Sequence, residues 1–382
     1  SVLMAGTALS HVLVAVSTPV LTRMYTPAEI GVLSVFLSML LTISVIASLL
    51  YESAISLPKK DSDAYHLFLL AAFNVFLISV FVLGITLIVP FAALLDVPEL
   101  QGYMWLLSCS LLGIGIFQVM NAWAIRKEAY QVISKAKIMM NGGTISAQIF
   151  LGFFHMGLAG LLIGEVFGRL AGSLGYLKWL SFKRADKVKV SIDDMKKVAK
   201  RYKSFPLVSG WSALLNSISS HLPTFFLAAH FDPLTAGLFF LAQRILTLPE
   251  GLIGYSALQV YLSQSAQMVR YTKEAFKKFC LDTIKKLLLM SFVVIGGIAI
   301  FVPYMITFLF GEHWEGAGPF IRILSILYVF KIVINPLTAN FYVLEALGYQ
   351  IAGEGLRFLL ICLSILIALF YMETPVEALV CI

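Results

Sequence analysis

Six positively charged side chains interrupt the long apolar runs of this sequence. They are Arg23, Arg169, Arg244, Arg322, Lys331 and Arg357. An unpaired Arg or Lys at the centre of a bilayer costs roughly 3 kcal/mol on insertion scales, so such residues normally face protein or water. Guanidinium and ammonium groups bind phosphate oxygens strongly. The pattern therefore predicts a cationic cavity for an anionic ligand such as a pyrophosphate.

Two of these cations lie deepest in their apolar runs. Lys331 is 14 residues into its run, about 21 Å from the outer end at ~1.5 Å per residue. Arg244 is ten residues into another run. We predict that Lys331 and Arg244 contact the pyrophosphate, that Arg23 and Arg322 guide its exit, and that Arg357 lies near its entry. A buried structural ion pair is the competing interpretation for Lys331.

Two other cations have an acidic neighbour about one helical turn away. Glu165 precedes Arg169 by four residues, and Glu354 precedes Arg357 by three. Pairs at these spacings meet on one helix face and can neutralise each other. A structural role therefore stands beside the binding role for both arginines.

The ends of predicted spans offer a third interpretation. Arg23 and Arg322 lie near outer ends, where a long basic side chain can reach the membrane interface. Among the acids, Glu52 lies near the cytoplasmic end of the second run and has no cation within one turn. We predict Glu52 as a group that couples transport to protons or sodium; a partly solvated carboxylate is the alternative.

The composition requires a membrane environment for these residues. The chain has 382 residues, of which 59% are hydrophobic and 13% charged, whereas soluble domains carry about 25% charged residues. The formal charge of +7 does not indicate nucleic-acid binding, because the basic residues cluster beside the apolar runs, where they set orientation and meet anionic lipid. We predict an all-α polytopic membrane protein.

Eleven apolar runs are long enough for a transmembrane helix, which takes about 20 residues. The predicted spans are Ser1–Leu21, Ile30–Leu57, Tyr65–Leu94, Leu100–Ala124, Gln131–Phe154, Leu158–Leu180, Phe205–His230, Leu234–Ser263, Leu281–Phe310, Ala317–Leu344 and Ile351–Tyr371. A twelfth begins near Val376. Both ends of the chain fall within or beside apolar runs, so we expect a piece of a longer protein with an incomplete twelfth helix.

The gaps between spans differ in charge. One set, with the span ends beside it, carries 22 of the 28 Lys and Arg residues, including Lys135 and Lys137, and the opposite set is acidic with Arg23 as its cation. Basic loops stay cytoplasmic, so we predict a cytoplasmic N-terminus and an inner or plasma membrane.

The longest gap divides the sequence into two halves. We predict an N-terminal lobe of six helices at residues 1–180, a basic amphipathic linker at 181–204 and a C-terminal lobe at 205–382. Tyr25-Thr-Pro27-Ala-Glu-Ile-Gly31 and Phe231-Asp-Pro233-Leu-Thr-Ala-Gly237 occupy equivalent positions in the halves. This match favours a duplicated six-span unit, as found in transporters whose halves rock about a central site.

The segment Pro19-Val-Leu-Thr-Arg23-Met-Tyr-Thr-Pro27-Ala-Glu-Ile-Gly31 resembles the first outer hairpin of the Wzx-type polysaccharide flippases, members of the MOP exporter superfamily. Gly6-Thr7 and the long basic gap agree with this resemblance. The residues of this chain that match the family motif are Pro19, Arg23, Pro27 and Gly31 only. The chain departs from the family in lacking a complete last span.

The resemblance implies two six-helix lobes in a V and alternating access. The implied substrate is a polyprenyl-pyrophosphate-linked oligosaccharide, moved to the outer leaflet of the bacterial inner membrane for O-antigen, capsule or exopolysaccharide synthesis. Ion coupling is a frequent family property. The implied partners are membrane lipids, a polysaccharide polymerase and a chain-length regulator.

Several other functions find less support in the sequence. No Walker A, HExxH or GxSxG motif occurs, and the six His do not cluster at ligand spacing; we predict no enzymatic activity, metal or cofactor. A multidrug exporter of the same superfamily needs a cavity rich in acids, and the deep charges here are mostly basic. A membrane enzyme of polysaccharide assembly usually has a large outer loop, which is missing from the predicted layout. A scaffold in an assembly complex would leave the buried cations without a purpose.

Overall fold

The computed structural model describes residues 2–182, 191–268, 272–343 and 347–382. Within these ranges the regular structure is helical, with α-helices numbered α1 to α17 in chain order. They are α1 (Val2–Met24), α2 (Pro27–Ser44), α3 (Tyr51–Ala54), α4 (Asp61–Ile88), α5 (Phe91–Leu94), α6 (Trp105–Arg126), α7 (Tyr130–Phe153), α8 (Gly157–Phe182), α9 (Ile192–Arg201), α10 (Gly210–His230), α11 (Pro233–Pro249), α12 (Tyr255–Met268), α13 (Lys273–Phe310), α14 (Ala317–Leu337), α15 (Ala339–Val343), α16 (Leu347–Tyr371) and α17 (Pro375–Cys381).

Four short turns of other helical types connect these helices. Two are 3₁₀ turns, Pro98–Tyr103 and Glu312–Trp314, and two are π-helical turns, Phe205–Ser209 and Glu250–Gly254. π-helical turns interrupt α-helices rarely and often at functional sites.

The helices follow the predicted spans. Each of the eleven predicted spans overlaps at least one α-helix, and eight helical segments of the described ranges are long and apolar enough to cross a membrane. The predicted all-α polytopic membrane fold is confirmed. The last helix, α17, begins at Pro375, beside the predicted start of the twelfth span.

The second predicted span is interrupted. The predicted span Ile30–Leu57 comprises two helices, because α2 ends at Ser44 and a non-helical turn separates it from α3. Leu49 and Leu50 have φ of 55° and 56° there. Left-handed backbone costs a non-glycine residue roughly 1–2 kcal/mol, so the surrounding packing must enforce this break.

A stripe of small residues joins α7 and α8. Gly160, Gly164, Gly168 and Gly172 recur every fourth residue and therefore share one face of α8. A Cβ on Gly164 would lie 2.5 Å from Cγ of Gln148 on α7. Glycine thus allows the two backbones close approach, which is how transmembrane helices commonly associate.

The predicted amphipathic linker contains α9. The Ser191 hydroxyl accepts a hydrogen bond from the backbone N–H of Asp194 and caps the helix. Val198 is buried, whereas Ile192 is exposed. Helix α9 packs against α4, so one apolar side chain of the linker is covered by protein.

The chain forms two compact units by its internal contacts. The N-terminal unit comprises Ser1–Pro233 and the C-terminal unit comprises Leu234–Ile382. Helix α10 contacts α2 and lies in the N-terminal unit. The predicted lobes at 1–180 and 205–382 remain a prediction.

Candidate functional site

A charged cluster forms where α11 ends in the C-terminal unit. Pro249 is the last residue of α11, and the π-helical turn Glu250–Gly254 follows it. Proline has no backbone N–H to donate, so it interrupts the regular helical hydrogen bonds at this point. The turn presents the Glu250 side chain to α14.

Glu250 binds two side chains of α14. Its Oε2 accepts a hydrogen bond from Nζ of Lys331 at 3.1 Å, and its Oε1 accepts one from Nδ2 of Asn335 at 2.9 Å. The Glu250 side chain is 11% exposed, whereas the Lys331 side chain is 41% exposed. The carboxylate is therefore enclosed by donors, while much of the lysine side chain remains accessible.

An aromatic and a hydroxyl complete this cluster. Lys331 Nζ lies 4.7 Å from the centre of the Tyr328 ring, within the range of a cation–π interaction. The Tyr328 hydroxyl shares a hydrogen bond of 3.1 Å with Oγ1 of Thr247. Tyr328, Lys331 and Asn335 follow a spacing of three and four residues, which places them on one face of α14.

The charges of Glu250 and Lys331 balance, but the Lys331 side chain remains partly exposed. One positive and one negative charge cancel, which lowers the cost of holding Lys331 in an apolar protein. An ammonium has three donors, and the pairs with Glu250 and the Tyr328 ring leave part of its surface open. An anion approaching the exposed side would compete with Glu250 for Lys331.

Two predicted cations pair with the acids that sequence spacing suggested. Nη2 of Arg169 lies 2.5 Å from Oε1 of Glu165, and these side chains are 15% and 8% exposed. Nη1 of Arg357 lies 3.8 Å from Oε2 of Glu354. The Arg169 pair is nearly enclosed within the N-terminal unit, which favours its structural interpretation.

The remaining three cations have different surroundings. Arg322 is exposed, with its guanidinium carbon 5.6 Å from the centre of the Tyr304 ring. Arg23 is exposed near the end of α1, and Arg244 is half-buried on α11. Of the six predicted cations, Lys331 contacts Glu250; a cavity shared by all six remains a prediction.

Glu52 lies on α3, directly after the break in the second span. The Ser48 hydroxyl donates a hydrogen bond to its carboxylate. Among the described residues no Lys or Arg nitrogen lies within 4.0 Å of that carboxylate. Its role in ion coupling stays a prediction.

The hairpin motif has a local structural explanation. Thr26 caps α2: its hydroxyl oxygen accepts a hydrogen bond from the backbone N–H of Glu29, and its own backbone N–H donates to the Glu29 carboxylate. Pro27 occupies the first turn, where no N–H is needed. The Tyr25 hydroxyl donates to the carbonyl of Gln148 at 2.7 Å.

The other motif residues lie beside this cap. Pro19 is inside α1 and half-buried, and Gly31 is buried on α2. These contacts fix how α1 turns into α2, so they account for the motif through folding.

Sequence reasoning missed the partner of Lys331. Glu250 and Asn335 stand out as polar residues within apolar runs, but 81 residues separate Glu250 from Lys331. No local spacing could join them. The one available signal was the proline at position 249, directly before the acid.

Comparison with known proteins identifies one family and one relative. The family model described as "Polysaccharide biosynthesis protein" matches residues 20–319. The teichuronic acid biosynthesis protein TuaB of Bacillus subtilis (strain 168) is 23% identical over 207 residues, which are 54% of this chain and 42% of that protein. The match therefore spans less than half of that relative's length.

The solved structures that share the fold include a transporter and a flippase. A multidrug resistance MATE family transporter of the MOP superfamily, inward-facing, has a TM-score of 0.72 and 19% identity, covering 97% of this chain and 90% of its own. The lipid II flippase MurJ, inward closed, has a TM-score of 0.76 and 14% identity, covering 100% of this chain and 84% of its own. At these identities the likeness concerns the fold alone.

Proposed function

Because the chain belongs to the polysaccharide biosynthesis protein family, we propose that it flips a polyprenyl-pyrophosphate-linked oligosaccharide across the bacterial inner membrane. The oligosaccharide would serve O-antigen, capsule or exopolysaccharide synthesis. The protein would work by alternating access with its N-terminus in the cytoplasm. The MOP-type fold and the multi-pass membrane architecture support this proposal.

The accessible Lys331 carries the proposal. Its ammonium is held by Glu250 through a single 3.1 Å contact, and 41% of its side chain is exposed. Without substrate, Glu250 acts as the counter-ion and keeps the membrane segment neutral. When a pyrophosphate arrives, its oxygens take over part of the lysine's coordination, as ammonium–phosphate pairs do. Glu250 then keeps its hydrogen bond from Asn335.

The remaining predicted contacts extend this role. A pyrophosphate needs more than one cation in a medium of low dielectric. Arg244 on α11 is proposed to supply a second contact to the pyrophosphate. Arg322 is proposed to guide its exit, and Arg357 is proposed to lie near its entry. The sugar would follow through polar contacts, while the polyprenyl tail stays in lipid.

The decisive experiment replaces Lys331 in cells that depend on this protein for surface polysaccharide. We expect Lys331→Ala to reduce surface polysaccharide by about tenfold or more, because a charge-assisted contact contributes roughly 1.5–3 kcal/mol. Lys331→Arg should keep most of the export. Lys285→Ala, on the exposed surface of α13, is the matched control.

Expression level and membrane insertion must be measured for all three variants. Normal export by well-expressed Lys331→Ala would refute the role of this residue in substrate binding. A double variant, Glu250→Gln with Lys331→Ala, restores neutrality and separates lost substrate contact from a destabilised fold: export should stay low although the protein is stable.

A multidrug exporter is the second candidate function, and the enclosed Glu250 favours it. Exporters of cationic compounds need acids, and removal of Lys331 would free this carboxylate for a cation. Under this alternative, Lys331→Ala should preserve or raise resistance to cationic drugs, and Glu250→Gln should abolish it. Under the flippase proposal, drug resistance should not depend on either residue.

Glu52 is proposed to couple transport to an ion. Its carboxylate lies beside a backbone break and binds a hydroxyl, which leaves it able to take up a proton or sodium. Glu52→Gln should remove the dependence of transport on the proton or sodium gradient in reconstituted vesicles. If the gradient dependence is unchanged in Glu52→Gln, this role is wrong.

A further inference from the structure

A second polar cluster lies in the N-terminal unit, between α1 and α7. Lys137 is the eighth residue of α7, about 10 Å along the axis from its first residue. Its Nζ donates a hydrogen bond to Oγ1 of Thr7 at 3.2 Å. Lys135, two residues earlier, is exposed, whereas Lys137 is half-buried. The two lysines therefore face different surroundings, although both count as basic residues beside the same gap.

Close helix approach creates this cluster. A Cβ on Gly6 would overlap the Ser134 side chain, so α1 and α7 touch one turn before Lys137. One turn further along, Nδ2 of Asn141 donates to Oγ of Ser10 at 2.6 Å. Contacts on both sides of Lys137 fix its position, so the lysine belongs to a preformed polar surface.

A histidine lies beside the lysine. His11 follows Thr7 by one helical turn on α1 and is half-buried. Residues four apart share one helix face, so His11 lies on the face of α1 that carries the contact between Thr7 and Lys137. The cluster thus joins an ammonium, an imidazole and a hydroxyl, all of which can donate hydrogen bonds.

Within the part of the chain that the structure describes, no acidic side chain pairs with Lys137. Over the described ranges, no carboxylate oxygen lies within 4.0 Å of Lys137 Nζ. The neutral Thr7 hydroxyl satisfies one of three ammonium donors. A cation in a membrane segment normally pairs with an anion or faces water. Lys331 and Arg169 pair with Glu250 and Glu165, whereas the half-buried Lys137 donates to the neutral Thr7 hydroxyl.

We propose that Thr7, His11 and Lys137 form a binding site for the phosphate group of an anionic lipid. Phosphate oxygens accept hydrogen bonds from ammonium, imidazole and hydroxyl donors, and the ligand's negative charge would balance Lys137. The phosphate can come from a polyprenyl pyrophosphate or from a phospholipid headgroup. The site is separate from the Glu250 cluster, so it does not rest on the proposed role of Lys331.

The test measures lipid binding to the purified full chain in detergent by native mass spectrometry. The probes are farnesyl pyrophosphate, phosphatidylglycerol and, as a phosphate-free control, farnesol. We expect Lys137→Gln to weaken binding of a phosphate probe by about tenfold or more, as for loss of a charge-assisted hydrogen bond. Lys137→Arg should retain most of the binding, and Lys135→Gln, the matched control, should change it less than about twofold.

The two phosphate probes identify the source. Loss confined to farnesyl pyrophosphate assigns the site to polyprenyl pyrophosphate, and loss confined to phosphatidylglycerol assigns it to membrane phospholipid. The proposal is overturned if neither probe binds better than farnesol, or if Lys135→Gln weakens binding as much as Lys137→Gln. If Lys137→Gln does not fold, Thr7→Val provides the same test, because it removes a donor and leaves the charge unchanged.

Discussion

The two units of the molecule hold their helices together in different ways. In the N-terminal unit, many glycines lie where a neighbouring helix leaves no room for a Cβ, as at Gly168 against Met140 and Thr144. In the C-terminal unit, Gly296 and Gly297 have no atom within 4 Å of a Cβ position. In an 18-residue stretch of the span Trp105–Arg126, 61% of the residues are buried, whereas in such a stretch of Ile351–Tyr371 only 6% are. Close helix contacts at glycine are therefore more frequent in the first unit than in the second.

The ion pairs of Arg169 and Lys331 also differ. Arg169 pairs with a neighbour on its own helix, and Lys331 pairs with an acid 81 residues away. A local pair forms as soon as its helix forms, whereas the distant pair depends on how α11 and α14 pack. The second arrangement can respond to a ligand, because displacement of Glu250 changes a contact between helices.

The largest expected effect comes from a methyl group added at Gly168 in the N-terminal unit, and the comparison is the same change at Gly297 in the C-terminal unit. Gly168→Ala should prevent close packing of α7 and α8, since the new Cβ meets backbone atoms of Met140 and Thr144, at a cost of about 1–3 kcal/mol or more. Gly297→Ala should be neutral or stabilising by up to ~1 kcal/mol, because alanine favours helix. Thermal unfolding in detergent measures both.

Equal effects of Gly168→Ala and Gly297→Ala on the unfolding temperature would contradict the proposed difference in packing. Gly84→Ala, in α4 of the N-terminal unit, is the internal control, because no atom lies within 4 Å of its Cβ position. It should behave like Gly297→Ala although it belongs to the other unit.

The next effect concerns the two ion pairs. Glu250→Ala should lower the free energy of unfolding by about 1–3 kcal/mol, less than the ~3–5 kcal/mol of a fully buried pair, because the Lys331 side chain is 41% exposed and partly screened. Glu165→Ala should cost more, since Arg169 and Glu165 are 15% and 8% exposed. Unfolding temperatures of the two variants in detergent give the comparison.

A compensating change distinguishes lost charge balance from lost packing. Glu250→Ala combined with Lys331→Met removes both charges and should recover most of the stability. If the double variant is as unstable as Glu250→Ala, uncompensated charge is not the cause. A larger loss of unfolding free energy in Glu250→Ala than in Glu165→Ala would contradict the expectation that the more enclosed pair stabilises the protein more.

Sequence patterns recovered what depends on neighbours along the chain. Long apolar runs predicted the spans because burial in lipid requires about 20 apolar residues in every case. The Arg169–Glu165 and Arg357–Glu354 pairs followed from helical spacing. These features need no knowledge of which helices touch.

Features that depend on tertiary packing were not predictable. The turn before α3 contains no glycine or proline, and its left-handed residues are Leu49 and Leu50, so no local signal marked the break. Lys137 was counted among the basic residues beside a gap, like Lys135. Two residues on a helix that are two positions apart point in directions about 200° apart. Lys135 and Lys137 therefore cannot both face the same neighbour, and only the packing of α1 against α7 shows that Lys137 contacts α1.

The smallest expected effect concerns two helix caps, one in each unit, that share three residue types, Thr, Pro and Glu. Thr26 and Glu29 cap α2, and Thr374 and Glu377 cap α17 with the same Thr-Pro-x-Glu pattern. Loss of such a cap costs about 1 kcal/mol. Thr26→Ala should lower the unfolding temperature, because α2 spans 18 residues and is 61% buried.

Thr374→Ala should instead affect its own helix alone, since α17 has only seven residues. Hydrogen exchange should rise in the first turn of α17, with little change in global unfolding, as expected for a short element that opens separately. Thr374→Ser, which keeps the hydroxyl, is the control and should exchange like the wild type. An equal loss of global stability in Thr374→Ala and Thr26→Ala would mean that α17 unfolds together with the rest of its unit, as α2 does. The proposed difference in packing between the two units would then be wrong for this helix.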